Sequence, residues 1–381
     1  MRLAIVRQRY TPYGGAERFV ERALAALAAR GVELALLTRH WPRGASRLFT
    51  PVILNPPYAG RLWRDRSFAR AVRAAVPQSN ATLVQSHERI DCCDIYRAGD
   101  GLHSVWLDAR LAAATPMERL RVRASPYHRY VLDAERRLFA SQRLKSVICI
   151  SRMVQNDIRE RFGLPVERLP IIYNAIDGDE FSPRLTAGRA ATRASLRIDD
   201  DRVVFLLVGS GYERKGVGRA IVALAGVPAP AHLVIVGNDR NPARYRRLAR
   251  RHGVSARVTL AGPQADPKPF YGAADVFVLP TLYDPLSNAV LEALACGLPV
   301  ITSTRCGAGE LVAAHRAGMV CDARDIAALA NAMCALLVQP ERELVAANAL
   351  RAVSELAPDT MAAQLLALYQ SLLDDGRAAT R

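Results

Sequence analysis

Hydrophobic positions fall into short runs of about four to seven residues, separated by longer stretches with helical apolar spacing. "LAIV" (3–6), "VELALLT" (32–38), "ATLVQS" (81–86), "SVICIS" (146–151) and "IIYN" (171–174) read as buried strands of a first half. "AERFVERALAALAAR" (16–30) has helical periodicity and stops at Gly31. The rhythm repeats with "VVFLLVG" (203–209), "HLVIVG" (232–237), "RVTLAG" (257–262), "DVFVLP" (275–280) and "PVITS" (299–303). From about 324 the pattern is helical. Strands alternating with helices predict parallel, doubly wound sheets. Residues 173–201 are polar, with Gly, Pro and charge, and read as a linker. The expected fold class is α/β: two doubly wound Rossmann-like domains, 1–180 and 181–381, facing across a cleft, with the last helix able to pack back on the first. Such sheets bind ligands at the carboxyl ends of their strands.

Composition narrows the partners. The chain has 381 residues, 50% hydrophobic and 23% charged, enough for real cores. No apolar run approaches the roughly 18 residues that span a bilayer. "MRLAIVRQRY" is too short and too charged for a secretory signal, so a cytoplasmic protein is expected. Seven cysteines, with no CxxC pair, suit reduced structural thiols better than a disulfide framework or a zinc site. The net charge is +16, and residues 1–180 hold 29 basic against 18 acidic residues. That excess favours nucleic acid, an acidic membrane or phosphorylated ligands. Nucleic acid would need a recognisable binding module or an aromatic platform, and neither is found. Lysine occurs only at 145, 215 and 268, so Lys215 stands out among the arginines.

Three stretches carry candidate chemistry. "YTPYGGAER" (10–18) follows the first strand. Gly14 and Gly15 let backbone approach a ligand at a helix N-terminus, which suits phosphate, although a tight turn needs the same glycines. "VGSGYERKGV" (208–217) places Arg214 and Lys215 at the head of a helix, an anion site matched to a diphosphate. Its spacing does not fit a Walker motif, and the plain alternative is a solvated charged turn. "YDPLSNAVLEALACGLPV" (283–300) sets Asp284 and Glu292 eight positions apart. Ser287 reads as the helix N-cap, Asp284 as a loop acid and Glu292 as a second-turn acid. Carboxylates accept from paired hydroxyls, so one acid can hold a ribose and the other a sugar. An exposed acid plus a capping acid is the bland alternative.

In the first half, "VQSHERIDCCDIYRAGDGLHS" (84–104) holds His87, Asp100 and His103. Each histidine can equally be structural, and Asp-Gly is a common turn. Residues 117–145 interleave Arg with Leu, Val, Tyr and Phe, as a membrane-facing segment or a solvated helical face would.

"DPLSNAVLEALACGLPVI" resembles the E-x7-E region of the retaining glycosyltransferases of family 4, which have the GT-B fold. "YGGAER", "VGSGYERKGV" and "YNAIDGDEFSP" are similar to that family's Gly-Gly loop, Arg-Lys diphosphate site and hinge, in the same order. The likeness is nearest the lipopolysaccharide core glucosyltransferase I group, through "RQRYTPYGGAER", "GSGYERKGVGRAIVALA" and "RCG". It departs at Asp284, where Glu is usual, and at Ala175, where Gly is commoner.

The resemblance implies transfer of a sugar, glucose from UDP-glucose, to a lipid-linked saccharide acceptor. The reaction would retain configuration and need no metal or cofactor. GDP-mannose, UDP-N-acetylglucosamine and ADP-heptose stay open as donors, as does a sugar-nucleotide epimerase on the same fold. Donor binding would fall to Gly14, Gly15, Arg214, Lys215, Asp284, Asn288, Ala289, Val290 and Glu292. Catalysis would use Asp100, Lys215, Arg214 and Asp284, with His87, Asp100 and His103 on the acceptor side. The expected protein is a monomer, peripheral on the inner face of an anionic inner membrane.

Overall fold

A computed structural model describes residues 1–9, 25, 27–41, 50–112 and 114–378. The chain forms two compact units, Met1–Ala175 with Pro358–Arg381, and Ile176–Ala357. The boundary falls ahead of the expected 180, and the last helix belongs to the first unit.

The first unit holds a parallel sheet ordered β3-β2-β1-β4-β5-β6. Its strands are β1 (Arg2–Val6), β2 (Glu33–Thr38), β3 (Thr50–Ile53), β4 (Leu83–Ser86), β5 (Ile95–Arg97) and β6 (Ser146–Ile148). Leu3, Ile5, Leu34, Leu36, Leu83, Ile95 and Ile148 build its core with Met361, Leu365 and Tyr369 of the helix Pro358–Ala378. The Tyr369 hydroxyl reaches Gln85 Oε1 at 2.8 Å, which gives a buried polar group its partner. The sequence missed β3 and β5. β3 carries Pro51 at the sheet edge, where the missing N–H costs least. β5 has three residues, and its buried Arg97 breaks the apolar run. "IIYN" is no strand: Ile171 makes an isolated bridge to Cys149.

The second unit holds β7 (Val203–Val208), β8 (Ala231–Val236), β9 (Val258–Gly262), β10 (Val276–Leu279), β11 (Val300–Ser303) and β12 (Gly318–Cys321), ordered β12-β11-β10-β7-β8-β9. Both sheets therefore share the doubly wound order, and each has one point where the order reverses. That point lies between β1 and β4 in one sheet and between β7 and β10 in the other. A crevice opens at the carboxyl ends of such a strand pair. The supposed linker is largely folded into this unit. Arg189 and Arg193, from the helix Arg189–Ser195, bind the Asp275 carboxylate at 2.5 and 2.7 Å.

Candidate active site

At the reversal point of the second sheet two cations meet one carboxylate. β7 exits through Gly209, Ser210 and Gly211 into a four-residue helix, Tyr212–Lys215. Arg214 and Lys215 end this short helix rather than heading a long one. Gly216 (φ +79°) then turns the chain into the helix Val217–Leu224. A Cβ on Gly216 would lie 1.9 Å from the Pro280 carbonyl oxygen, so only glycine fits. A Cβ on Gly209 would lie 2.9 Å from Lys215 Cε, so that glycine lets the lysine stem lie flat across the strand end.

The exit of β10 is stitched to the same helix. Leu282 N–H and Thr281 Oγ1 both donate to the Arg214 carbonyl, at 2.8 and 2.9 Å. Asp284 is fixed in turn, its N–H donating to Arg305 O and its carbonyl accepting from Gly307 N–H, each at 2.9 Å. Lys215 Nζ donates to Asp284 Oδ2 at 2.6 Å, and Arg214 Nη1 lies 3.5 Å from the same oxygen. Lys215 is 9% exposed and Asp284 6%. Burial pushes the Asp284 carboxyl up, but Lys215 and Arg214 together hold it below the usual carboxylate range. Two cations against one carboxylate leave an excess of one positive charge, which favours an anion.

The helix Asn288–Ala295 leaves this point with an irregular start. Ser287 occupies the N-cap position as expected, yet at φ +69° and ψ 95° its side chain makes no capping bond. Its hydroxyl is buried without a hydrogen-bond partner. A non-glycine residue held at positive φ costs of order 1–3 kcal/mol and marks an over-determined site. Asn288 and Ala289 are half-buried and Val290 is buried. Glu292 Oε2 accepts from the Tyr271 hydroxyl at 2.6 Å. Tyr271 is itself fully buried, with Phe181 and Phe277 rings 5.6 and 6.0 Å away. Burial, then the Glu292 charge, pushes the Tyr271 phenol well above its ordinary value, so it stays a donor. Tyr271 lies 21 positions upstream on a separate helix, and nothing in the sequence pattern marks it.

The reversal point of the first sheet is different. Gly14 and Gly15 lie outside the described residues. His87 follows β4, half-buried, with its ring nitrogens 3.1 Å from Gln85 Nε2 and 3.5 Å from Arg7 Nη1. Burial, Arg7 and Arg97 all hold the imidazole well below its ordinary value. Next to it Glu88, unmarked in the sequence, accepts from Gln8 N–H at 2.9 Å, and burial raises its carboxyl. Asp100 is exposed in the turn after β5. That turn is held by Arg89, whose Nη2 donates to Gly101 O at 2.7 Å. His103 starts the helix His103–Leu111. The buried Glu135 carboxylate accepts from His103 and Ser104 N–H at 2.7 and 3.1 Å, filling that helix N-terminus. The His103 ring meets His128 at 3.1 Å. Among the described residues, none of His87, Asp100 and His103 hydrogen-bonds another, whereas Arg214, Lys215 and Asp284 form one cluster.

Comparisons with known proteins bear on family and fold. Residues 13–180 match the family model described as Glycosyltransferase Family 4, and residues 202–339 that of Glycosyl transferases group 1. The chain is 25% identical over 326 residues to the lipopolysaccharide glucosyltransferase WaaG of Escherichia coli (strain K12), covering 84% of this chain and 85% of that protein. It is 31% identical over 233 residues to a GDP-mannose-dependent alpha-(1-6)-phosphatidylinositol monomannoside mannosyltransferase of Mycobacterium tuberculosis (strain H37Rv), covering 58% and 60%. The crystal structure of WaaG superposes with a TM-score of 0.80 at 24% identity, over 94% of this chain and 98% of that one. The Anabaena Alr3699/HepE structure in complex with UDP-glucose gives 0.72 at 19% identity, over 97% and 100%.

Proposed function

Because this chain belongs to the family-4 glycosyltransferases and has the GT-B fold, we propose that it moves glucose from UDP-glucose onto a lipopolysaccharide core or related glycolipid. Configuration is retained and no metal ion takes part. The observation that carries this reading is the Lys215–Asp284–Arg214 cluster at the reversal point of the second sheet. Its surplus positive charge meets the donor diphosphate and stabilises the charge that grows there as the glycosidic bond breaks. Asp284 accepts from sugar hydroxyls, and Glu292, steadied by Tyr271, accepts from the ribose. A donor phosphate oxygen takes the acceptor proton in a front-side attack, with Asp100 orienting the acceptor.

The acceptor's lipid brings the enzyme to an anionic membrane on its cytoplasmic face. The helix Pro116–Ala124 supports this: Met117 and Leu120 are 59% and 61% exposed, among exposed Arg119, Arg121 and Arg123. No helix among the described residues is long and apolar enough to cross a membrane. Changing these three arginines to Gln is expected to weaken sedimentation with phosphatidylglycerol vesicles at least tenfold, at about 1 kcal/mol for each cation near the surface. Unchanged binding would remove the membrane reading. For the donor, melting temperatures with UDP-glucose, GDP-mannose, UDP-N-acetylglucosamine and ADP-heptose decide the choice. A ligand at about 100 times its Kd adds about 2.7 kcal/mol of stability. UDP-glucose is expected to raise the midpoint most; a larger rise with another donor would replace it.

A further inference from the structure

The second unit carries another concentration of positive charge that the donor cluster does not absorb. Residues 176–357 hold 21 Lys and Arg against 18 Asp and Glu, a net of +3. The helix Pro242–Arg251, "PARYRRLARR", contributes five arginines and no acid, so the remainder of the unit is net negative. The charge is gathered on one element rather than spread. That the cations are arginines reflects the whole chain; their placement is what matters. Tyr245 and Ala249 turn inward as the helix's buried residues, so the arginines face out.

A cleft of about 470 Å³ runs between this helix and the helix Val217–Leu224. Val222 and Leu248 give it apolar surface. Arg219 stands on one wall and Arg244, Arg247 and Arg251 on the other. Glu213 is the one acid among the lining residues, 3.3 Å from Arg244 Nη1. Burial lowers Arg219 from its usual value, with Glu213 opposing and Arg324 adding to the fall. Like charges facing each other across a concave wall repel, and a bound anion relieves that repulsion. Guanidinium forks match phosphate oxygens two at a time.

We propose that this cleft is a second anion site, which takes a phosphate-bearing group and rests its apolar part on Val222 and Leu248. A free diphosphate and an acidic lipid headgroup share this chemistry. Its lining shares no residue with the Lys215 cluster, although Glu213 adjoins Arg214 on the same short helix, and it does not depend on the activity proposed above.

Hydrogen exchange of the full chain tests it locally. The helix Pro242–Arg251 is followed alone, with inorganic pyrophosphate, and with vesicles of phosphatidylglycerol and phosphatidylcholine. Added protection with pyrophosphate identifies a soluble phosphate; protection with vesicles alone identifies a lipid headgroup. Either supports the site. Arg247→Gln with Arg251→Gln is expected to weaken the effective ligand about tenfold or more, since hydrogen bonds to charged groups are lost. Both arginines are exposed, so folding is kept. The charge-matched pair Arg184→Gln with Arg351→Gln is expected to bind like the wild type. The proposal is overturned if neither ligand protects the helix, or if the control pair loses as much affinity as the cleft pair.

Discussion

The two sheets have the same strand order, and what stands at their reversal points differs. In the second, buried Lys215 and half-buried Arg214, from one short helix, converge on one oxygen of the buried Asp284 carboxylate from the loop after β10. In the first, a neutral imidazole and a carboxyl with a raised pKa stand behind an exposed Asp100. One point is organised before any ligand arrives and carries surplus positive charge. Among the described residues the other mixes signs, with Arg7 and Arg97 beside His87, Asp100 beside Glu88, and Arg89 holding the turn. A doubly wound sheet thus supplies a place for a ligand, while the side chains at the strand exits decide which kind.

The sharpest way to break this contrast is at Lys215. Lys215→Ala removes the buried cation, and kcat/KM is expected to fall about 10²–10³-fold, the usual cost of losing one electrostatic donor. The fold is weakened too, by about 3 kcal/mol, because Asp284 then keeps only the more distant Arg214 as a cationic partner. Steady-state kinetics and urea unfolding separate the two effects. Lys215→Arg is expected to recover stability more fully than rate. An unaffected rate in Lys215→Ala would dissolve the difference between the two points.

Asp284→Asn sharpens it. With the carboxylate charge gone, both cations are free for phosphate. Inorganic pyrophosphate is expected to bind several-fold tighter by calorimetry, while sugar transfer falls about 10²-fold, as for a lost transition-state contact. Weaker pyrophosphate binding would mean that Asp284 only shapes the loop.

Tyr271→Phe probes the far end of the site. Glu292 loses one donor, and KM for the donor sugar is expected to rise about fivefold, near 1 kcal/mol, with kcat kept. A fall in kcat at constant KM would place Tyr271 elsewhere in the mechanism.

The smallest expected effect is in the first unit. Burial first, then Arg89, His128 and Arg61, lower the His103 imidazole to about 3. The unfolded chain therefore binds more protons between its ordinary value, near 6.5, and about 3. The histidine's contribution is complete above about 6.5 and declines as the pH falls through that window. The urea midpoint of His103→Asn should drop less from pH 7 to pH 5 than that of the wild type. Parallel curves would show that His103 is not held neutral by the fold.

Much of the second unit was legible in the sequence. Five of its six strands are clear apolar runs, the edge strand β12 being the one the sequence missed, and Lys215 is conspicuous where lysine is so scarce. Asp284 and Glu292 announced themselves by spacing. The hydrogen-bond donor to Glu292 did not, because Tyr271 and Glu292 meet only through tertiary packing. Ser287 reads as an ordinary cap, and its positive φ follows from the loop that Asp284 anchors. In the first unit short strands hid the sheet edges. Glu135, which caps a helix 32 positions before it, has no local signature. The supposed linker failed for a similar reason: Arg189 and Arg193 look solvated until Asp275 is placed beside them.

A crystal structure of the chain with UDP bears most directly on the donor site. The diphosphate oxygens are expected about 2.7–3.2 Å from Lys215 Nζ and the Arg214 guanidinium, the reach of a hydrogen bond. The ribose hydroxyls should meet Glu292. UDP lodged with its phosphates away from Lys215 would contradict the assignment of that cluster to the donor.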